Sequence, residues 1–238
     1  MFESVADLYE RVRPTYPGEA VDWLTQKLRI DGRSTVLDLG AGTGKLTRAF
    51  VPHAGRVVAV EPGPNMLAEL RQAVPQAEAH LGAAEAIPLP DGSVDAVVCG
   101  QSFHWFRTDD ALAEIRRVLR PGGGLGLIWN VRDPADPVQE EVTTLLHPFM
   151  PPGRPPLPTT VVGLIDVAFG RVQSASFRFE QELDPEGVVG RILSISFVAA
   201  AAPERRAELA ETLRAMVTRQ GGRVAFRYVS EVYVSFWG

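Results

Sequence analysis

Residues 35–45, TVLDLGAGTGK, constrain the fold more than any other stretch of this chain. A short apolar run ends on three glycines within five residues, and a helix-compatible run, KLTRAF, follows at once. Glycine tolerates positive φ and lets a ligand reach the backbone closely. A helix opening straight after the turn presents N–H groups that have no partner within the helix. The spacing is G-x-G-x-G over Gly40, Gly42 and Gly44. In the dinucleotide pattern G-x-G-x-x-G, the third glycine would fall on Lys45 or on Thr47, so neither register fits. A P-loop is excluded too, because Leu46 stands where the motif needs Ser or Thr.

The turn opens an alternating rhythm. Strands are predicted over residues 35–39, 56–60, 78–81, 93–98 and 124–129, with helices over 45–50 and 64–72. A further helix carries the stripe Leu112, Ile115, Val118 and Leu119. Thr108, Asp109 and Asp110 are placed to cap its start, and Pro121, Gly122 and Gly123 to stop it. The strands lack polar alternation, which argues for a parallel sheet covered by helices on both faces. Upstream, Ala20, Val21, Leu24 and Leu28 mark a helix in the 1–30 region, which Pro14 and Pro17 break into two pieces. Downstream, residues 131–170 are rich in proline and read as an insertion or a partly irregular connection. Residues 171–180 alternate as a strand, and 203–217 form an amphipathic helix with proline near its start. Residues 224–237 alternate as a half-buried strand, which fits an antiparallel place in the sheet. The expected architecture is α/β: a three-layer sandwich around a mixed sheet of seven strands, Rossmann-like, with an antiparallel last strand. It is read as one domain over 1–238, comprising an N-terminal helical part (1–30), a ligand-binding half (31–130), the Pro-rich insertion (131–170) and C-terminal strands and helices (171–238).

A net charge of −5 disfavours a polyanionic partner such as nucleic acid. The single Cys99 can form no internal disulfide, and its apolar surroundings suit a packed thiol in a reducing compartment. The N-terminus lacks the basic start and apolar stretch of a signal peptide. The uncharged run over 192–202 is too short to span a bilayer. A soluble, cytoplasmic protein is therefore expected. Only Lys27 and Lys45 are lysines, which with abundant Ala, Gly and Pro suggests a GC-rich bacterial genome.

Glu61 closes the second predicted strand, VVAVE, and so falls beside the glycine turn at the edge of a parallel sheet where ligands bind. A carboxylate there can accept hydrogen bonds from both hydroxyls of a ribose. At this point the chain resembles a known family. VLDLGAGTG (36–44), VVAVE followed by Pro62, and EIRRVLRPGG (114–123) look like the successive motifs of class I S-adenosylmethionine-dependent methyltransferases. The small-molecule branch with a UbiE-like domain is closest. LGAAEAIPL (81–89), FHWF (103–106) and YERVRPTY (9–16) are similar to trans-aconitate methyltransferase-like members. The resemblance covers about residues 1–130 and implies S-adenosylmethionine as cofactor. It implies that Asp38, Gly40, Gly42 and Gly44 cradle the methionine side and that Glu61 holds the ribose. Pro62 and Met66 would then lie against the adenine, and Ala84 and Glu85 would bracket its edge. Gln101 would line the wall beside the sulfonium, while Tyr9, Arg13 and Tyr16 would fold over the cofactor.

His104 reads either as a general base or as a packing histidine bonded to the backbone. Trp105 serves equally as a substrate wall or as core, with the core reading slightly favoured. Arg116, Arg117 and Arg120 read as a solvated helix face, and Asp95 as structural, at the sheet edge away from the cofactor. His53, His80 and His147 have no metal-like spacing, so no metal site is expected. The expected function is methyl transfer to a small molecule, at an oxygen such as a carboxylate, with no nucleic-acid or membrane partner. Two other classes remain open: a cofactor-binding protein without turnover and a nicotinamide oxidoreductase.

Overall fold

The computed structural model describes residues 12–150, 163, 165, 166 and 169–237. Tyr9 and the densest part of the Pro-rich segment, 151–158, lie outside the described residues. One seven-stranded sheet runs in the order β3-β2-β1-β4-β5-β7-β6, mixed in direction with the last strands antiparallel, as the sequence predicts. The strands are β1 (Thr35–Leu39), β2 (Arg56–Glu61), β3 (Glu78–Leu81), β4 (Val94–Gly100), β5 (Leu119–Arg132), β6 (Gln173–Leu183) and β7 (Val224–Phe236). β1 is the hinge of the topology. It pairs in parallel with β2 on one side and with β4 on the other, Leu37 lying opposite both Val58 and Val97. The chain therefore leaves β1 toward one edge of the sheet and returns to its other side. A crevice at the C-terminal ends of the strands, where that order reverses, is the place such sheets bind ligands.

The residues form two compact units, drawn from Thr15–Asn130, Pro155–Phe177 and Ser230–Gly238, and from Met1–Pro14, Val131–Arg154 and Arg178–Val229. In the first, β1 is buried along its whole length, which explains why TVLDL carries no polar alternation. Helix α1 (Gly18–Lys27) starts directly after Pro17 and buries Ala20, Val21 and Leu24. These residues join Val36, Phe50, Ala96, Val98 and Ile128 in one apolar core. Arg29, in a left-handed conformation at φ 56°, ends this helix. Helices α2 (Lys45–Phe50), α3 (Pro64–Ala73) and α4 (Thr108–Val118) follow β1, β2 and β4.

Two local readings change. The residue at the N-cap of α4 is Arg107, whose side chain makes no cap hydrogen bond. The Glu85 carboxylate instead accepts from the Arg107 backbone N–H at 2.8 Å. Pro121–Gly123 does not separate a helix from a strand beginning at 124. β5 already begins at Leu119, and the register jumps from Val94–Leu119 to Ala96–Gly124, so three extra residues bulge out of a continuous strand.

The second unit has its own core, with Val142, Leu146, Val188, Leu213, Met216, Phe226 and Tyr228 buried together. Part of the predicted irregular segment is the regular helix α5 (Pro137–Leu146). Asp136 caps it by accepting from Val138 N–H, while its other carboxylate oxygen takes the Arg227 N–H at 3.0 Å. Helix α6 (Pro185–Leu193) repeats the device, with Asp184 accepting from Gly187 N–H at 2.7 Å. Proline at the first helical position loses no intrahelical bond, so these prolines start helices. Ser196–Ala199 forms the short α7, and α8 (Pro203–Arg219) extends two residues beyond the predicted helix. Among the described residues no helix is long and apolar enough to cross a membrane.

Candidate functional site

The glycine turn and Glu61 are one hydrogen-bonded unit. After β1 the chain adopts φ values of 71° at Gly40, 58° at Gly42 and 88° at Gly44, a region costly for any residue with a Cβ. The N–H groups of Gly40 and Ala41 both donate to the Val60 carbonyl, pinning the turn to β2. Glu61, buried at the end of β2, then accepts from Gly42 N–H with Oε2 and from Gly63 N–H with Oε1, both at 2.8 Å. Two oxygens offer about four acceptor positions, so the carboxylate keeps capacity for further donors. Among the described residues a Cβ on Gly42 would meet nothing within 4 Å, so this side of the turn is open to them. On Gly40 it would stand 2.7 Å from Ser102 Cβ, where the Ser102 hydroxyl donates to the Leu39 carbonyl at 2.8 Å.

Asp38 lies on β1 just before the turn and is almost wholly buried. The Thr47 hydroxyl donates to its Oδ2 at 2.6 Å, and its Oδ1 makes no hydrogen bond to the described residues. Burial raises its pKa from 3.8 to about 7; Thr47 pulls it back, and the nearby Glu61 charge adds to the rise. The sign of the resulting pH dependence follows directly. Between about pH 4 and 7 the unfolded chain loses this proton while the folded chain keeps it, so stability falls as pH rises. The change amounts to about 4 kcal/mol at most. Asp38→Asn is expected to flatten the denaturation midpoint across that window; an unchanged slope in urea titrations at pH 4, 5.5 and 7 would contradict the burial effect. Burial, with the Asp38 charge added, also holds the Cys99 thiol well above its ordinary range, so Cys99 is an inert core group.

Exposed apolar surface flanks Glu61. Met66, in the first turn of α3, is 44% exposed, and Leu81, opposite Glu61 in the β2–β3 register, is 57% exposed. Pro62 is exposed beside them, while Ala84 is buried. Leu81 was not singled out in the sequence, although an apolar residue ending an edge strand is the signal. The loop around Glu85 is held from below by Arg117. Its guanidinium donates to the Ile87 and Leu89 carbonyls and pairs with Glu114 and Asp91. Glu114 in turn accepts from Ile87 N–H. The reading as a solvated face is thus corrected for the half-buried Arg116 and Arg117, whereas Arg120 is exposed, on β5 and not on the helix. Arg116 lies over the Phe169 and Trp237 rings, and Arg120 pairs with Asp95 at 2.6 Å. Asp95 also accepts from Thr35 N–H, at the edge remote from the glycine turn.

The aromatic segment leaves β4 through Gln101, which takes a positive φ of 58°. Its backbone N–H donates to the Ile128 carbonyl and its side-chain amide to the Asn130 carbonyl, both at 3.0 Å. Ser230 donates to Asn130 Oδ1, and Asn130 donates to the Thr15 carbonyl. Tyr16 packs against Gly100, where a Cβ would meet its hydroxyl at 2.5 Å. Residues 103–105 form one 3₁₀ turn with Phe103 buried beneath. Trp105 is 64% exposed, which removes the core reading for it. His104 is half-buried, and burial lowers its pKa. The buried Trp129 indole N–H donates to its Nδ1 at 3.3 Å. Trp129 also meets Tyr233 edge-on, with ring centroids 6.0 Å apart. The Tyr233 hydroxyl donates to Glu231 at 2.9 Å, and burial with that carboxylate pushes its pKa well above the ordinary range.

Asp38, the three glycines, Glu61, Pro62, Met66, Ala84, Glu85, Gln101, Tyr16, His104 and Trp105 thus all belong to the first unit. Arg13 belongs to the second, where its guanidinium donates to the Ser194 carbonyl at 2.8 Å. Like Leu81, the site-forming side chains Thr47, Ser102 and Trp129 were not singled out by the sequence reading.

Residues 37–127 match a family model described as a methyltransferase domain. An uncharacterized methyltransferase of Mycobacterium tuberculosis is 50% identical over 163 residues, which make up 62% of this chain and 65% of that protein. The match thus spans slightly less than two thirds of this relative's length. An uncharacterized methyltransferase-like protein of Schizosaccharomyces pombe is 41% identical over 200 residues, covering 82% of this chain and 76% of that one. Among solved structures, a putative type II methyltransferase from Anaeromyxobacter dehalogenans superposes with a TM-score of 0.69 at 27% identity, over 94% of this chain and 97% of that one.

Proposed function

The chain belongs to the methyltransferase family, and from that premise we propose that it transfers the methyl group of S-adenosylmethionine to a small-molecule acceptor, at an oxygen such as a carboxylate. The observation that carries this reading is the hydrogen-bonded unit of glycine turn and Glu61, set over a buried Asp38 with an unpartnered oxygen. These residues fit the cofactor. The open side of Gly42 admits a ligand to the backbone. Glu61 has acceptor capacity left for a ribose diol. Asp38 Oδ1 lacks the donor that an ammonium group would supply. Met66 and Leu81 present apolar surface of the kind an adenine ring covers.

When bound, S-adenosylmethionine supplies a methyl group already activated by its sulfonium. The protein's task is then chiefly placement and alignment of the two reactants, which can account for most of the acceleration. Glu61 would hold the ribose of the cofactor, and Asp38, the glycine turn and Gln101 its methionine side. His104 and Trp105 border the acceptor. The small-molecule branch and its UbiE-like and trans-aconitate methyltransferase-like members supply the model for this assignment. We read the whole chain as one such domain, bacterial and cytoplasmic in origin, without nucleic-acid or membrane partners.

Thermal-shift titration tests the reading. S-adenosylhomocysteine is expected to raise the melting temperature and NAD to leave it unchanged, since only a ligand of the native state stabilises it. The opposite result would replace methyl transfer by nicotinamide chemistry. Labelled methyl transfer into a small-molecule cell extract then separates an enzyme from a silent binder.

A further inference from the structure

We infer that His104 serves the acceptor as a hydrogen-bond donor through Nε2–H, not as a general base, and that Trp129 fixes it in that form. The argument begins with the indole. Trp129 Nε1–H can only donate, and it points at His104 Nδ1 from 3.3 Å. Nδ1 therefore holds a lone pair and no proton. A neutral imidazole carries one N–H, so the proton sits on Nε2. Protonating Nδ1 as well would bring two N–H groups face to face, so this contact favours the neutral ring, as burial does.

Trp129 is not free to turn away. It is buried on β5 and wedged edge-on against Tyr233. His104 is held in turn by its 3₁₀ segment, where Trp105 N–H donates to the Ser102 carbonyl, and by the Trp105 ring, whose centroid lies 4.9 Å from its own. The two nitrogens of an imidazole point in divergent directions, so Nε2–H is aimed away from Trp129. A base must approach its substrate with a lone pair. His104 can offer its lone pair only to Trp129, and offers a proton to everything else. It therefore recognises an acceptor oxygen with lone pairs and no proton to lose, such as an ionised or carbonyl oxygen. Trp129 acts through His104 and is a positioning residue.

This inference rests on the methyl-transfer reading for its functional half, but the tautomer can be measured without any substrate. Long-range proton–nitrogen correlation spectra of the full chain, labelled at the histidine ring nitrogens, are expected to show His104 neutral at pH 7 with its proton on Nε2. Trp129→Phe should weaken that preference while the other three histidines keep their patterns. A wild-type His104 protonated on Nδ1 would overturn the proposal outright. The second measurement uses labelled methyl transfer into a small-molecule cell extract. Glutamine can accept from Trp129 and still donate, yet it cannot act as a base. His104→Gln is expected to retain most of the turnover that His104→Phe loses. If both variants fall together by about 10²–10⁴-fold, as loss of a base would require, His104 is the base after all. Absence of label with the wild-type protein would instead sink the methyl-transfer reading, and leaves the tautomer result standing.

Discussion

Glu61→Ala is expected to abolish the thermal stabilisation by S-adenosylhomocysteine and to lower the melting temperature of the free protein by about 5–15 °C. The first effect follows from losing the carboxylate placed to hold a ribose. The second follows from the hydrogen bonds already present, because Glu61 takes the N–H groups of both Gly42 and Gly63. Leaving two such donors without their partner costs about 1–3 kcal/mol each where they are buried. Glu61→Gln retains one acceptor oxygen but turns an NH₂ group toward the other donor, so it should fall between the two. Differential scanning fluorimetry with and without S-adenosylhomocysteine measures both effects. A Glu61→Ala protein that melts normally and still responds to the ligand would remove Glu61 from the site.

The glycines separate folding from binding more sharply still. Gly40→Ala should destabilise the protein by about 2–5 kcal/mol. About 1–2 kcal/mol comes from the left-handed conformation and the rest from crowding. The crowded partner is Ser102 Cβ, 2.7 Å away, which is fixed because its hydroxyl is bonded to the Leu39 carbonyl. Gly42→Ala shares the backbone penalty but meets open space, so it should cost only about 1–2 kcal/mol. Its methyl group would instead intrude where the ligand approaches the backbone, and ligand binding should weaken by at least tenfold. Urea denaturation and calorimetric titration of the two variants give the comparison. Equal stability losses would mean that the turn, and not Ser102, sets the cost.

Much of this organisation was legible because the signals are local. TVLDL lacks polar alternation because β1 lies inside the sheet, and Glu61 closes the next strand, 19 residues after Gly42 and two before Gly63. The helix at Pro137 had a local signal as well, Asp136 before a proline, which the surrounding density of prolines obscured. The roles of Arg117 and Trp129 had none. Arg117 reaches the Leu89 and Ile87 carbonyls from 28 and 30 residues away, and Trp129 meets His104 across 25. Such contacts depend on how strands and helices come to lie side by side, and residue spacing alone does not encode them. Trp105 shows the same limit: an aromatic ring at a strand end can turn inward or outward, and here it faces solvent.

Arg29 and Gln101 share one uncomfortable backbone conformation, with φ of 56° and 58°. Any search for a hardier variant would replace both by glycine, since each gives up about 1–2 kcal/mol that glycine would not. At Arg29 the exchange relaxes a helix end and nothing else is at stake. At Gln101 it would delete the side chain that ties the end of β4 to Asn130 beside the acceptor. Selection for heat resistance alone would therefore reward the change at Arg29, while at Gln101 the lost hydrogen bond, about 0.5–1.5 kcal/mol, offsets the backbone relief and unties the end of β4 from Asn130.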